Sequence, residues 1–182
     1  LAAIAVFVVG CDAESGAPMA SASAESAARE ALSLENGHPL LLPNDDPGVT
    51  TFESELLRLV NGHRVSMGLN ALIDVGGLGD AARAHGRHMI DHRFFDHVAP
   101  EDLTPGDRLA LAGLDWTSVG ENIAAGFSSP QEVFEAWLAS PSHRDNIESD
   151  RYTHAGAGYA FDAAPTSEYP EGHYWAMLFL RW

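Results

Sequence analysis

Lysine is absent from the 182-residue chain: its ten basic residues are all arginine, set against 26 acidic ones for a formal net charge of −16. A Schiff-base lysine and a phosphate-binding P-loop lysine are thereby excluded. The same balance argues against non-specific nucleic-acid binding, which rests on neutralising phosphates with Lys and Arg, and against charge-driven docking on anionic lipid. Cysteine occurs once, which removes an internal disulfide, a CxxC redox pair and any Cys-rich zinc site. HExxH, GxSxG and an internal Cys nucleophile are missing as well, closing the common protease and esterase routes. No internal repeat is visible. What remains is an apolar content of 46%, enough for a real core, on a length that suits one ordinary domain plus a tail.

The single cysteine is explained by its position. Residues Leu1–Val9 are an apolar run too short to span a bilayer, followed by Gly10 and Cys11. Such a run ending in small residues reads as an export signal. Val8-Val9-Gly10-Cys11 is similar to a bacterial lipobox, so Cys11 is expected to carry lipid and tether an extracytoplasmic protein to a membrane; a plain secretory signal is the alternative. Residues 12–50 are then expected to be a disordered tether. Asp12–Glu35 is Ala, Ser and Glu with almost no large apolar side chain, and buries too little to offset its ordering entropy.

The domain is expected over residues 51–182. Thr50 with Glu53 suggests a capping box, followed by Phe52, Leu56, Leu59, Val60 and His63 at helical spacing. A second helix is expected from about Leu78 to Arg93, with Leu78, Ala81, Ala82, His85, Met89 and His92 along one seam. Thr104-Pro105-Gly106-Asp107 and Ser129-Pro130-Gln131-Glu132 start two more, each with proline at its favoured first position; Ser140-Pro141 ends the latter and opens another turn. The period then changes. Ala155–Phe161 reads as a strand whose Gly156 and Gly158 permit close approach. His173–Trp182 alternates with both faces largely apolar, the mark of a central strand covered on both sides. Helices early and strands late imply an α+β fold, a helix–sheet–helix sandwich. Trp137, Trp175 and Trp182 are expected in its core.

Nine histidines dominate the chemistry. His97 follows Phe94-Phe95-Asp96, Glu121 sits in Gly120-Glu121-Asn122-Ile123, and His143 lies in Ser140-Pro141-Ser142-His143-Arg144. Two imidazoles and a carboxylate suit a metal site with open positions, acid–base work near neutral pH, or ordinary structural hydrogen bonds. His85, His88 and His92 recur at helical spacing and would make a surface zinc clip, but no carboxylate or Cys is dedicated to it, so inward-packed helix histidines are the preferred reading.

Five segments in order carry a resemblance: Leu59-Val60-Asn61-Gly62-His63-Arg64, Phe94-Phe95-Asp96-His97, Pro105-Gly106-Asp107-Arg108-Leu109, Gly120-Glu121-Asn122-Ile123-Ala124, and Trp137 through Ile147. Over about residues 52–182 the chain resembles the bacterial branch of the CAP superfamily (cysteine-rich secretory, antigen 5 and pathogenesis-related 1 proteins, also called SCP-like). The resemblance implies an α-β-α sandwich with a central, mainly antiparallel sheet covered by helices, in an extracytoplasmic protein. It also implies a cleft, lined in eukaryotic members by two His and two Glu, that binds divalent metal in some of them. His97 matches the first His and Glu121 the first Glu. For the second His, His143 is favoured over His173 of Gly172-His173-Tyr174. The second Glu is replaced by Ser140, and a hydroxyl cannot serve as a charged ligand or general base.

Three functions follow. The favoured one is a non-enzymatic binding module for a lipid-like or cell-envelope ligand, its cleft holding Zn²⁺ or a similar ion weakly. The second is a metal-dependent hydrolase with His97 and His143 as ligands and Glu121 as base; the third is an interaction scaffold with a relic cleft.

Overall fold

The computed structural model describes residues 7–10, 14–15, 47–165 and 172–182. Its elements in chain order are β1 (Phe7–Gly10), β2 (Glu14–Ser15), α1 (Pro47–Ser66), β3 (Ile73–Asp74), α2 (Gly76–His92), α3 (Pro105–Leu111), β4 (Ser118–Ala125), α4 (Pro130–Ala139), α5 (Pro141–Glu148), β5 (His154–Phe161) and β6 (His173–Arg181). Cys11 and most of the expected tether lie outside the described residues. Among the described residues no helix is long and apolar enough to cross a membrane.

Two of the helix starts form as reciprocal caps. The Thr104 hydroxyl accepts from the Asp107 N–H while the Asp107 carboxylate accepts from the Thr104 N–H, and Ser129 with Glu132 repeats the arrangement. Each cap satisfies donors that the first helical turn would otherwise leave unpaired. The box expected at Thr50 does not mark a helix start, because α1 already runs from Pro47. Glu53 is instead drawn into the interior. It accepts from Arg83 Nε and Nη2 at 2.8 and 2.7 Å and from the Tyr159 N–H at 2.9 Å, joining α1, α2 and β5.

The sheet runs β1-β4-β6-β5-β3, with β2 also on β4. Its pairs are antiparallel except β3 with β5. β6 is therefore central, as its two apolar faces require. Its odd residues Trp175, Met177 and Phe179 join Leu56, Val60, Trp137 and Ile147 in a core under α1, α4 and α5. Its even residues Ala176, Leu178 and Leu180 join Leu78, Ala82, Met89, Leu109 and Ile123 under α2 and α3. The result is the expected α+β sandwich, helices on both faces of one mainly antiparallel sheet.

Three expectations need correcting. Trp182 is 49% exposed, because the sheet ends at Arg181 and leaves the terminal ring beyond the helical cover, against His154. His92 leaves the seam of α2 for solvent, since it stands in the last turn, beyond the point where β5 and β6 cover the helix. The turn after Ser140-Pro141 grows into a full helix, α5, which packs against β4 through Asn146 and the His143 carbonyl.

Candidate functional site

β4 divides the candidate residues. Side chains alternate along a strand, so adjacent Glu121 and Asn122 leave opposite faces: Glu121 toward α2 and α3, Asn122 toward α5. His97 joins Glu121, whereas His143 and Ser140 belong to the other face. The structure thus assembles two pairs.

Glu121 is fully buried, and both of its oxygens are engaged. Oε2 accepts from Arg108 Nη2 at 2.5 Å, and Oε1 lies 2.8 Å from His97 Nδ1. His85 Nε2 stands 3.9 Å from the same oxygen and 3.0 Å from the Asp96 carbonyl, to which it donates. Arg108 also donates through Nη1 to the carbonyls of His97 and Leu103, at 2.6 and 3.1 Å. One guanidinium therefore neutralises Glu121 and fastens two points, His97 and Leu103, of the loop between α2 and α3. Burial alone would raise the Glu121 carboxyl, but the Arg108 charge, with His85 and the His97 hydrogen bond, holds it at about 2. Burial, with the Arg108 charge beside it, pushes His85 down to about 3. Glu121 is an anion and His85 a neutral imidazole at neutral pH.

On the opposite face, His143 Nδ1 meets Ser140 Oγ at 2.7 Å, and the His143 ring lies parallel to Trp137, with centroids 6.4 Å apart. Asn122 Nδ2 donates to the His143 carbonyl at 3.1 Å; Asn146 Nδ2 donates to Asn122 Oδ1 at 2.9 Å. These amides lock α5 onto β4. Gly120 makes the fit possible: a Cβ there would stand 2.4 Å from the Tyr152 hydroxyl oxygen. His173 shares this face but lies apart, with Nδ1 2.8 Å from the Tyr159 hydroxyl.

The divalent metal implied by the resemblance does not fit this arrangement. A cation at Glu121 would have to displace the Arg108 guanidinium, a charge already in place. His97 holds Glu121 through one ring nitrogen, and His143 approaches from the far side of the sheet. A cavity of about 140 Å³, lined by Glu53, Asp74, Asp80 and Arg83 among others, falls below the ~300–1,000 Å³ of pockets that enclose an organic ligand.

Sequence reading missed Arg108 and His85 as partners of Glu121. His85 was legible only as one seam position of α2, and Arg108 only as part of a motif. It also missed β4 as a strand, and with it the facing rule that separates Glu121 from His143.

Acid should destabilise this network in two steps. Between about 6.5 and about 3 the unfolded chain protonates His85 while the folded one does not, so stability falls as pH drops below 6.5. Glu121, lowered from 4.5 to about 2, contributes fully above 4.5, and that contribution is lost as pH falls toward 2. Burial lowers His88 and His173 in the same direction as His85. Urea midpoints between pH 7.5 and 5 should show His85 contributing up to about 1.4 kcal/mol per pH unit below 6.5. His85→Gln should flatten the profile; an unchanged slope in that variant would refute the assignment.

Comparison with known proteins bears on the whole region. Residues 57–179 match the model of the cysteine-rich secretory protein family, CAP. Two Bacillus subtilis proteins are similar. An uncharacterized protein, YkwD, is 38% identical over 111 residues, 61% of this chain and 43% of that protein. An uncharacterized membrane protein, YlbC, is 34% identical over 109 residues, 60% of this chain and 32% of that protein. The chain thus spans less than half the length of these relatives. Among solved structures, an extracellular SCP-domain protein of Bacillus anthracis superposes with a TM-score of 0.66 at 26% identity, covering 78% of this chain and 45% of that one. An outer surface protein of Borrelia burgdorferi, 21% identical, shares the fold with a TM-score of 0.61 over 70% of this chain and 90% of its own.

Proposed function

The chain belongs to the cysteine-rich secretory protein (CAP) family, and from that premise we propose that it is an extracytoplasmic, non-enzymatic binding module, tethered through Cys11, for a lipid-like or cell-envelope ligand. The location is supported by the export-signal character of residues 1–11 and by relatives described as extracellular, outer-surface or membrane proteins.

One observation carries the non-enzymatic reading. Glu121, the carboxylate a hydrolase would use to activate water, has no exposed surface, holds Arg108 and His97 with its two oxygens and titrates at about 2. A general base works best with a pKa near the operating pH and must reach the proton it takes. Glu121 has neither property and acts as the counter-ion that fixes the Arg108 and His97 loop. The binding surface is then what that loop presents to the envelope on the α2 and α3 face of the sheet.

The full chain should sediment saturably with isolated peptidoglycan or with phospholipid vesicles, while ester, casein and peptidoglycan turnover stay at the protein-free rate. Turnover that vanishes in Glu121→Gln, with the circular-dichroism spectrum retained, would establish the hydrolase instead. Sedimentation with neither material would favour an interaction scaffold.

A further inference from the structure

The end of α2 gathers a second set of donors, separate from the buried Glu121 network. His88 and His92, one turn apart on the helix, set their rings edge to face with centroids 4.2 Å apart. The loop after α2 brings Glu101 over them: its Oε1 lies 3.4 Å from His88 Nε2. One ligand atom from each of the three residues lies within 4.8 Å of the others. Tetrahedral zinc, with ligands at about 2.0–2.2 Å, needs donor atoms roughly 3.3–3.6 Å apart, so His88 and Glu101 already have that spacing and the exposed His92 has to swing in only slightly.

Local order favours the arrangement. His88 is packed edge-on against Phe94, with centroids 5.3 Å apart, which holds its ring. His92 Nδ1 lies 3.3 Å from the His88 carbonyl; with Nδ1–H donating there, Nε2 carries the ring's lone pair for a metal. The α2 histidine repeat lacked a carboxylate when read as sequence; Glu101 supplies it from the loop. His85, the third member of that repeat, turns inward to Asp96 and Glu121 and takes no part.

We propose that His88, His92 and Glu101 form a surface site for a borderline divalent transition cation such as Zn²⁺. Two imidazoles and one carboxylate select zinc and its neighbours over Ca²⁺ or Mg²⁺, which prefer all-oxygen shells. Three protein ligands leave a fourth position to water or to a group of a second molecule.

The test is Zn²⁺ titration of the untagged full chain by calorimetry, with bound metal counted by elemental analysis. His92 and Glu101 are exposed, so His92→Ala and Glu101→Gln should fold normally, as circular dichroism would verify. One equivalent is expected for the wild type. Each variant should lose at least the ~10-fold in affinity typical of removing even an outer-shell partner. Co²⁺ should give a visible d–d absorption in the wild type that both variants lack. Wild-type Zn²⁺ affinity in both variants, or no uptake by the wild type, would overturn the site.

Discussion

Gly158→Ala is expected to destabilise the domain by at least about 3 kcal/mol, the upper end of overpacking costs, and Gly158→Val to prevent soluble expression. A Cβ on Gly158 would stand 2.1 Å from the Arg83 backbone nitrogen, 2.5 Å from the Ala82 carbonyl carbon and 2.7 Å from the Arg83 Cα. These are main-chain atoms of α2, so no side chain can rotate aside and the helix itself must lift. Gly156, two residues earlier and on the same face of β5, is as tight: its Cβ would meet the Gly79 nitrogen at 2.2 Å. The helix and strand thus touch backbone to backbone along their contact. Lifting α2 would loosen Leu78, Ala82 and Met89, all fully buried, and withdraw His85 from Glu121. Gly62→Ala is the matched control. Nothing lies within 4 Å of a Cβ there, and Gly62 is inside α1, where alanine should stabilise by roughly 0.5–1 kcal/mol. Urea unfolding of the two alanine variants would decide the matter; similar midpoints would contradict the packing described.

The second large effect is expected at Arg108. Arg108→Met should cost about 3–5 kcal/mol, the range for removing one partner of a buried ion pair. The loss leaves Glu121 charged, fully buried and held by His97 alone, and it removes the Arg108 donor from the carbonyls of His97 and Leu103. The double variant Arg108→Met with Glu121→Leu should recover much of that cost, because the uncompensated charge is then gone. Thermal or urea denaturation of the single and double variants forms the cycle. A single variant within about 1 kcal/mol of wild type would mean that the pair is not the anchor its geometry indicates. A double variant that is stable yet fails to sediment with envelope material would tie binding to the ordering of the His97 loop, deepening the functional proposal.

Much of this architecture was legible in the linear chain. Thr104 with Asp107 and Ser129 with Glu132 announce helix starts because a cap is a local contract between residues three apart. The double-faced apolar pattern of 173–182 identified β6 as central because burial on both sides leaves no polar alternation. The glycines of β5 signalled close approach for the same kind of reason: a missing Cβ is visible without a structure. The order of five motifs likewise sufficed to indicate the family.

The site was another matter. Whether Glu121 meets His97 or His143 depends on the single-residue alternation of β4, and an acid and an amide at the middle of β4 break the apolar pattern. Arg108 reaches Glu121 across 13 residues and His85 reaches it across 36 only because α2, α3 and β4 are packed together. Glu101 meets His88 for the same reason, and that contact turned a repeat of helix histidines into a candidate metal site. Local chemistry is written in spacing along the chain, so the sequence by itself determined most of the elements, the layers and the family. Charge pairing, the depressed Glu121 and the facing of each histidine depend on side chains brought together from distant segments in a desolvated interior. Only the tertiary structure could decide them.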